Sequence, residues 1–204
     1  MFPLYDESRI KGKIPWVTMG LIILNTFFFL YSFFNLEYFI NNFGFVPSHL
    51  FDGRFFTVFT SMFLHGNLFH LIGNMWFLWI FGGALEARLN SFKFLAFYFV
   101  CGIGGALVYS LAMADSSAVV IGASGAISGV LGGYLVLFPK NKIKALVPLI
   151  FFFTIISVPA VIYIFIWFLY QIFSLSSIET TVAYWGHIGG FITGMLMIKR
   201  FKRF

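Results

Sequence analysis

Six long apolar stretches separated by short polar segments dominate the pattern of the chain. They lie at about 15–34, 66–84, 92–113, 121–138, 145–170 and 184–198. Each is close to or above the roughly 17–25 residues that a helix needs to cross a bilayer. Because a backbone inside lipid must satisfy its own hydrogen bonds, such stretches favour helices. The pattern predicts an all-α polytopic membrane protein built as a bundle of six transmembrane helices.

The segments outside these stretches suggest a simple domain organisation. Residues 1–14 are expected to form an N-terminal segment, residues 15–198 a single membrane domain, and residues 199–204 a basic tail. The connection at about 35–64 is long for a loop and carries aromatic residues. We therefore expect this connection to lie in the membrane interface.

The composition supports a membrane protein. Hydrophobic residues make up 60% of the 204 residues and charged residues only 10%, whereas soluble domains carry about 25% charged residues. The single cysteine, Cys101, excludes an intrachain disulfide. No cofactor is predicted.

The basic residues predict the orientation in the membrane. With six spans, Arg54 alone falls on one side, and the other twelve of the 13 basic residues share the opposite side. Those twelve are Arg9, Lys11, Lys13, Arg88, Lys93, Lys140, Lys142, Lys144, Lys199, Arg200, Lys202 and Arg203. The positive-inside rule then places both termini in the cytoplasm, in a multi-pass protein of the cell (inner) membrane. Such short juxtamembrane clusters face the lipid bilayer and do not indicate nucleic-acid binding.

Four polar residues share one depth within the predicted spans. Helical rise puts Ser124, His187, His70 and Asn74 roughly 14 to 21 Å from the cytoplasmic ends of their spans. Polar groups are costly at this depth and are rarely without a function. A hydroxyl and an imidazole at one level suggest a nucleophile and its general base.

Two glycine repeats indicate which spans touch. Both repeats have the four-residue spacing that allows close approach of membrane helices. They are Gly125, Gly129 and Gly133 in one span, and Gly186, Gly190 and Gly194 in the other. Ser124 and His187 adjoin the first glycine of each repeat, so we expect their side chains to meet.

Other chemistries fit the polar residues less well. His65, His70 and Asn74 lack a His-Glu-x-x-His pattern, and asparagine is a poor zinc ligand, so no metal site is predicted. No acidic residue lies mid-span, which argues against an aspartyl protease or a carboxylate proton relay. His70 and Asn74 make better sense as donors to an oxyanion. Ser128, one turn after Ser124, is interpreted as a packing residue.

These residues resemble the rhomboid intramembrane serine proteases of the minimal six-span bacterial type. The matching elements are His65 with His70-x-x-x-Asn74, Gly122-Ala123-Ser124-Gly125, and His187-x-x-Gly190. Glu86 and Arg88 also resemble a bracing element of that family. Three positions depart from the family pattern. Gly53 precedes Arg54 where tryptophan is usual, and Ser128 stands where many members carry a tyrosine that stacks on the catalytic histidine. Gly186 precedes His187 where alanine is common.

The resemblance implies a mechanism and a substrate class. Ser124 is the expected nucleophile and His187 the general base and acid. The Ser124 backbone N–H, His70 and Asn74 are expected to hold the oxyanion. Substrates are expected to be single-span membrane proteins, cleaved near the outer membrane face. Span five is a candidate lateral gate. Each of its phenylalanines is either a candidate gate residue or lipid-facing bulk: Phe151, Phe152, Phe153, Phe165 and Phe168. The connection 171–183 is a candidate cap.

Two other functions remain open on the sequence. One is a non-catalytic rhomboid-like protein that binds membrane helices, although such relatives lack the serine or the histidine. The other is a small transporter or channel, which the absence of mid-span charges and of an internal repeat disfavours.

Overall fold

Helices make up most of the chain, as its apolar stretches predict. The structure, a computed structural model, describes residues 1–7, 13–50, 52–148, 153–176 and 182–201. The helices in these ranges are α1 (Trp16–Ser32), α2 (Leu36–Phe43), α3 (Thr57–Thr60), α4 (Leu68–Phe77), α5 (Gly83–Leu89), α6 (Ser91–Ala112), α7 (Ser124–Leu137), α8 (Ala160–Phe173) and α9 (Tyr184–Phe201). A π-helical turn, Leu78–Gly82, joins α4 to α5. Short 3₁₀ turns occupy Phe33–Asn35, Pro47–His49, Ser61–Phe63 and Ser174–Ser176.

Helix length varies across the bundle. Within the described residues, three helical stretches are long and apolar enough to cross a bilayer: Trp16–Phe43, Leu68–Leu89 and Ser91–Ala112. Helices α7 and α8 have 14 residues each and rise only about 21 Å. The architecture is that of a multi-pass helical membrane protein in which some helices are shorter than the hydrocarbon core is thick.

A three-stranded sheet corrects two predictions, the all-α fold and a transmembrane helix over 145–170. The strands are β1 (Phe2–Asp6), β2 (Lys142–Pro148) and β3 (Phe153–Pro159), which pair antiparallel in the order β1-β2-β3. The predicted fifth span is therefore a hairpin followed by the shorter helix α8. Strands are favoured here because β-branched residues are frequent, and Pro148 and Pro159 close the two strands. A sum of hydropathy does not separate such strands from a helix.

The N-terminal segment also contributes to the bundle. The indole Nε1–H of Trp76 in α4 donates to the carbonyl of Pro3 at 2.6 Å. The Phe2 ring lies 5.3 Å from the Trp76 ring, between centroids. The Tyr163 hydroxyl in α8 donates to the carbonyl of Met1 at 3.4 Å. The first residues of the chain thus connect α4 with α8.

The centre of the bundle is formed by α6, α7 and α9, which pack most closely on one another. The two glycine repeats face each other, as predicted. A Cβ built on Gly190 would collide with the carbonyl of Gly125, and one built on Gly194 would collide with the carbonyl of Gly129. Because the backbones touch at these points, α7 and α9 run side by side with the residues that flank their glycines in contact.

Glu86, in α5, fastens the start of α1 to α5 and to the start of α6. Its buried carboxylate accepts the backbone N–H groups of Val17 at 2.9 Å and Thr18 at 2.8 Å, and the hydroxyl of Ser91 at 2.6 Å. A carboxylate at a helix N-terminus is favoured by the helix dipole and by the free N–H groups. Arg88 is exposed on the last turn of α5.

The long connection before α4 is folded and anchored. The Arg54 guanidinium donates to the carbonyls of Asn41 and Asn42, both at 3.0 Å. Gly53, where a tryptophan is usual in the family pattern, has φ +80°, a conformation that favours glycine. The connection is therefore held by the Arg54 hydrogen bonds to the end of α2.

Candidate active site

The turn before Ser124 requires a glycine. Gly122 has φ +115°, and its N–H donates to the carbonyl of Ser61 at 2.8 Å. A Cβ built on Gly122 would lie only 2.7 Å from His70 Nε2. Both the left-handed backbone and the close imidazole exclude a larger residue. Helix α7 begins immediately afterwards, so Ser124 occupies its first position.

Ser124 and His187 are in hydrogen-bond contact. The distance between Ser124 Oγ and His187 Nε2 is 2.8 Å. Ser124 opens α7 and His187 lies in the first turn of α9, so the two helices start at the same level. Equal depth and facing glycine repeats predicted this contact, and the geometry suits a nucleophile and its base.

Gln171 is a polar residue of this site that sequence reasoning missed. Its Oε1 lies 2.8 Å from His187 Nδ1, and its Nε2 donates to the carbonyl of Trp167 at 3.2 Å. The side chain is 3% exposed. A signal was present, because Gln171 is the single amide in the apolar sequence of α8. The depth criterion did not cover it, because Gln171 lies one residue beyond the predicted span 145–170.

His70 and Asn74 lie next to the Gly122–Ser124 turn. They are one helical turn apart on α4, and the side chain of Asn67 caps that helix by accepting the His70 N–H at 2.8 Å. Asn74 Nδ2 would lie 3.7 Å from a Cβ built on Gly122. Asn74 is 7% exposed, and its Nδ2 has no hydrogen-bond partner among the described residues. A buried donor without a partner is positioned to receive an acceptor that is not part of the protein.

His65 lies behind His70. It is buried, and its ring centroid lies 4.9 Å from that of His70 in an edge-on arrangement. His65 thus packs on a residue of the site and is not part of the Ser124–His187 pair. In the described part of the chain, no group of three or more His, Cys, Asp or Glu residues could hold a metal ion.

Ser128 has the packing role that was predicted for it. Its side chain is buried, and its hydroxyl donates to the Ser124 carbonyl, one turn earlier in α7, at 2.6 Å. Serine in a helix commonly makes this bond to its own backbone. The two serines of this helix are therefore distinguished by their partners, since the Ser124 hydroxyl is paired with an imidazole and the Ser128 hydroxyl with a backbone carbonyl.

A small cavity opens beside Ser124 and His187. It offers about 40 Å³ to the centres of water molecules, which is room for roughly two or three of them. Much of its wall is backbone or a methyl group, contributed by Gly102, Gly105, Ala106, Gly125, Ala183 and Gly186. A cavity with such walls admits water and small side chains.

Helix α8 flanks the site with one face unpacked. Phe165 is 57% exposed, while Phe168 stacks on Phe191 of α9 at 4.5 Å between centroids. Of the other predicted gate residues, Phe153 lies in β3, and Phe151 and Phe152 lie outside the described residues. The predicted cap at 171–183 is described only in part, because residues 177–181 also lie outside the described ranges.

Comparison with known proteins agrees with the geometry. Residues 52–203 match the family profile described as the Rhomboid domain. RHOMBOID-like protein 5 of Arabidopsis thaliana is 28% identical over 156 residues, 73% of this chain and 46% of that protein. RHOMBOID-like protein 1 of the same plant is 31% identical over 146 residues, 69% of this chain and 33% of that protein. Rhomboid protease GluP of Bacillus subtilis is 32% identical over 143 residues, 70% of this chain and 25% of that protein. The chain spans less than half the length of these three relatives.

Proposed function

Since the chain belongs to the rhomboid family, we propose that it is an intramembrane serine endopeptidase that cleaves membrane-spanning helices near the outer face of the membrane. The observation that carries this proposal is the 2.8 Å contact between Ser124 Oγ and His187 Nε2. The contact joins a hydroxyl that can act as a nucleophile to an imidazole that can accept its proton, at the starts of two adjacent helices.

The acylation step uses this pair of residues. The Ser124 oxygen attacks the carbonyl carbon of the scissile peptide bond, and the Ser124 proton passes to His187 Nε2. When the C–N bond breaks, the imidazolium returns that proton to the leaving amine. The first product departs and the remaining part of the substrate stays bound to Ser124 as an ester.

Hydrolysis of the ester requires water in the same place. The cavity next to Ser124 supports its access, because it has room for a few water molecules. His187 takes a proton from the water as the water oxygen attacks the ester carbonyl. The proton then returns to Ser124 Oγ, which regenerates the free enzyme.

The oxyanion of both steps is held by one backbone donor at the start of α7 and two side-chain donors from α4. We assign this role to the backbone N–H of Ser124 with the side chains of His70 and Asn74. The unpartnered amide of Asn74 supports the assignment, because a donor fixed in advance stabilises developing charge without reorganisation.

The substrates are taken to be single-span membrane proteins with small residues at the cleaved bond. The small volume of the cavity, about 40 Å³, supports this size limit. Entry from the lipid is assigned to the side of α8, where Phe165 is exposed and the backbone packing against α4 is sparse. Peptide bonds of an intact helix are already hydrogen-bonded, so the substrate must unwind locally before it is cut.

Both termini are assigned to the cytoplasm of a cell-membrane protein. Among the described residues, basic side chains gather where α5 ends and where β1 meets β2: Lys13 Nζ donates to the carbonyl of Ala87 at 3.3 Å, and Lys144 pairs with Glu7 at 3.1 Å. Lys199 and Arg200 lie in the last turn of α9. This distribution supports the cytoplasmic side under the positive-inside rule.

The test combines covalent labelling with cleavage of a model membrane substrate. The purified protein should react with a serine-directed fluorophosphonate and cleave the substrate, and Ser124→Ala and His187→Ala should do neither. Ser128→Ala is the matched control, because it removes a buried serine of the same helix that has no imidazole partner. Normal cleavage by Ser124→Ala would refute the assignment.

The same experiment separates the other candidate functions. A helix-binding protein without catalysis would capture the substrate but show neither labelling nor cleavage. A transporter or channel would show no interaction with a membrane helix.

A further inference from the structure

The geometry points to Gln171 as a positioning residue that orients His187 and links the reactivity of the dyad to the position of α8. This inference rests on the proposed function. It concerns the orientation of the His187 imidazole. The Ser128 hydroxyl donates to the Ser124 carbonyl, so another residue must orient the ring.

The amide of Gln171 can make its two hydrogen bonds in only one orientation. Its Nε2 faces the Trp167 carbonyl at 3.2 Å and its Oε1 faces His187 Nδ1 at 2.8 Å. In the flipped amide, two oxygen acceptors would face each other at Trp167. The hydrogen bond from Gln171 Nε2 to the Trp167 carbonyl therefore fixes the amide with its oxygen towards His187.

The amide oxygen in turn selects the tautomer of His187. An oxygen that only accepts requires a proton on Nδ1, and a neutral imidazole carries one proton. Nε2 is then left with its lone pair directed at Ser124 Oγ, 2.8 Å away. This is the form that a general base needs, and the opposite tautomer would present a proton to the serine.

The surroundings strengthen this selection. Gln171 is 3% exposed, so water does not compete for its oxygen. The Ser128 hydroxyl is directed to the Ser124 carbonyl. The Tyr184 ring, on the same helix, lies 6.0 Å from the His187 ring between centroids, in an edge-on arrangement. Gln171 thus supplies the side-chain hydrogen bond to Nδ1.

The location of Gln171 makes the hydrogen bond sensitive to α8. Much of that helix is apolar and exposed, while Gln171 and Trp167 hold its end against α9. An N–H···O hydrogen bond spans about 2.7–3.2 Å, so an outward shift of the helix end of about 1 Å breaks the bond and removes the selection of the tautomer. A substrate that displaces α8 on entry therefore lowers the reactivity of Ser124 until α8 returns.

The test compares two substitutions that differ in the acceptor. Gln171→Met keeps the length of the side chain and removes both hydrogen bonds. Gln171→Glu keeps an oxygen opposite Nδ1 in either protonation state. Ile172→Met is the control, because Ile172 neighbours Gln171 on α8 but is exposed. Each variant is assayed for kcat and KM on a model membrane substrate, for the rate of fluorophosphonate labelling, and for thermal unfolding in detergent.

The expected result is a selective loss of turnover. Gln171→Met should lower kcat and the labelling rate about tenfold, the effect of one unpaired buried group, with KM unchanged. Gln171→Glu should recover most of both rates, and Ile172→Met should match the wild type. If Gln171→Met is too unstable to assay, Gln171→Asn, whose amide is one methylene too short to reach Nδ1, should show the same selective loss.

Two outcomes separate this inference from the proposed function. Equal labelling rates and kcat in the wild type and Gln171→Met would overturn the role of Gln171 while the protease assignment stands. Absence of labelling and cleavage in the wild type would refute the protease assignment itself.

Discussion

Replacement of Asn74 by leucine should change activity and stability in opposite directions. The side chain is 7% exposed, and its Nδ2 has no hydrogen-bond partner among the described residues. In the resting protein this donor has lost its water without gaining a protein acceptor. Such a buried, unpaired group costs about 1–3 kcal/mol of folding free energy. Leucine has nearly the same shape and removes that cost.

The loss of activity follows from the same amide. If Asn74 donates to the oxyanion, the hydrogen bond forms only as charge develops in the transition state. Removal of one such donor costs about 2.7–4 kcal/mol, which corresponds to roughly 10²- to 10³-fold in kcat. We therefore expect Asn74→Leu to lower kcat by that factor and to raise the free energy of unfolding by about 1 kcal/mol.

The assay measures kcat on a model membrane substrate and the unfolding midpoint in detergent. Asn25→Leu is the matched control, because Asn25 is a buried asparagine of α1 whose amide already donates to the Leu21 carbonyl at 2.8 Å. That variant should leave kcat unchanged. A wild-type kcat in Asn74→Leu would remove this residue from the oxyanion site. A large fall in stability would show that the Asn74 amide has a structural partner.

Three further predictions concern the frame around the site. Gly190→Ala should lower both the unfolding midpoint and the fluorophosphonate labelling rate, because the new Cβ collides with the backbone of α7. Gly20→Ala is the control and should lower neither, because no atom lies within 4 Å of its new Cβ. Glu86→Gln should destabilise the protein by about 2–4 kcal/mol, because the amide cannot accept all the hydrogen bonds that the carboxylate takes from α1. An unchanged unfolding midpoint would show that Glu86 does not stabilise the contact between α1 and α5. The hydrogen bond from the Ser157 hydroxyl lowers the pKa of Glu7 from its ordinary value of 4.5, and the neighbouring lysines add to the effect. Because the pKa of Glu7 is lower in the folded protein than in the unfolded chain, the Glu7 carboxylate stabilises the sheet at pH values above the unfolded pKa. This stabilisation is lost as the pH falls through the folded pKa. Glu7→Gln should therefore be less stable than the wild type at pH 7, and the difference should shrink as the pH falls below the ordinary Glu7 pKa of 4.5. A pH-independent difference in unfolding midpoint would refute the role of the Glu7 charge.

Residues with polar side chains in apolar surroundings were the most predictable part of the site. Ser124, His187, His70 and Asn74 could be selected because a helix converts sequence position into depth. The facing of α7 and α9 could be predicted as well, since only glycine lets backbones approach so closely. Both inferences use local rules that hold whatever the rest of the chain does.

The hairpin β2–β3 could not be predicted in this way. Apolar residues at 145–170 satisfy the length requirement of a membrane helix, but β1 pairs with β2 from more than a hundred residues away along the chain. Long-range strand pairing determines which state these β-branched residues adopt, and hydropathy does not contain that information.

The sequence by itself determined the membrane class, the level of the polar residues and the pair of helices whose glycines touch. Only the tertiary structure decided that Gln171 meets His187, because that contact depends on where α8 starts after the hairpin and on how it lies against α9. Hydrophobic periodicity and composition predict the structure of a single helix or strand. The partner of a buried side chain is decided between elements, by packing and by the need of each buried polar atom for a hydrogen bond.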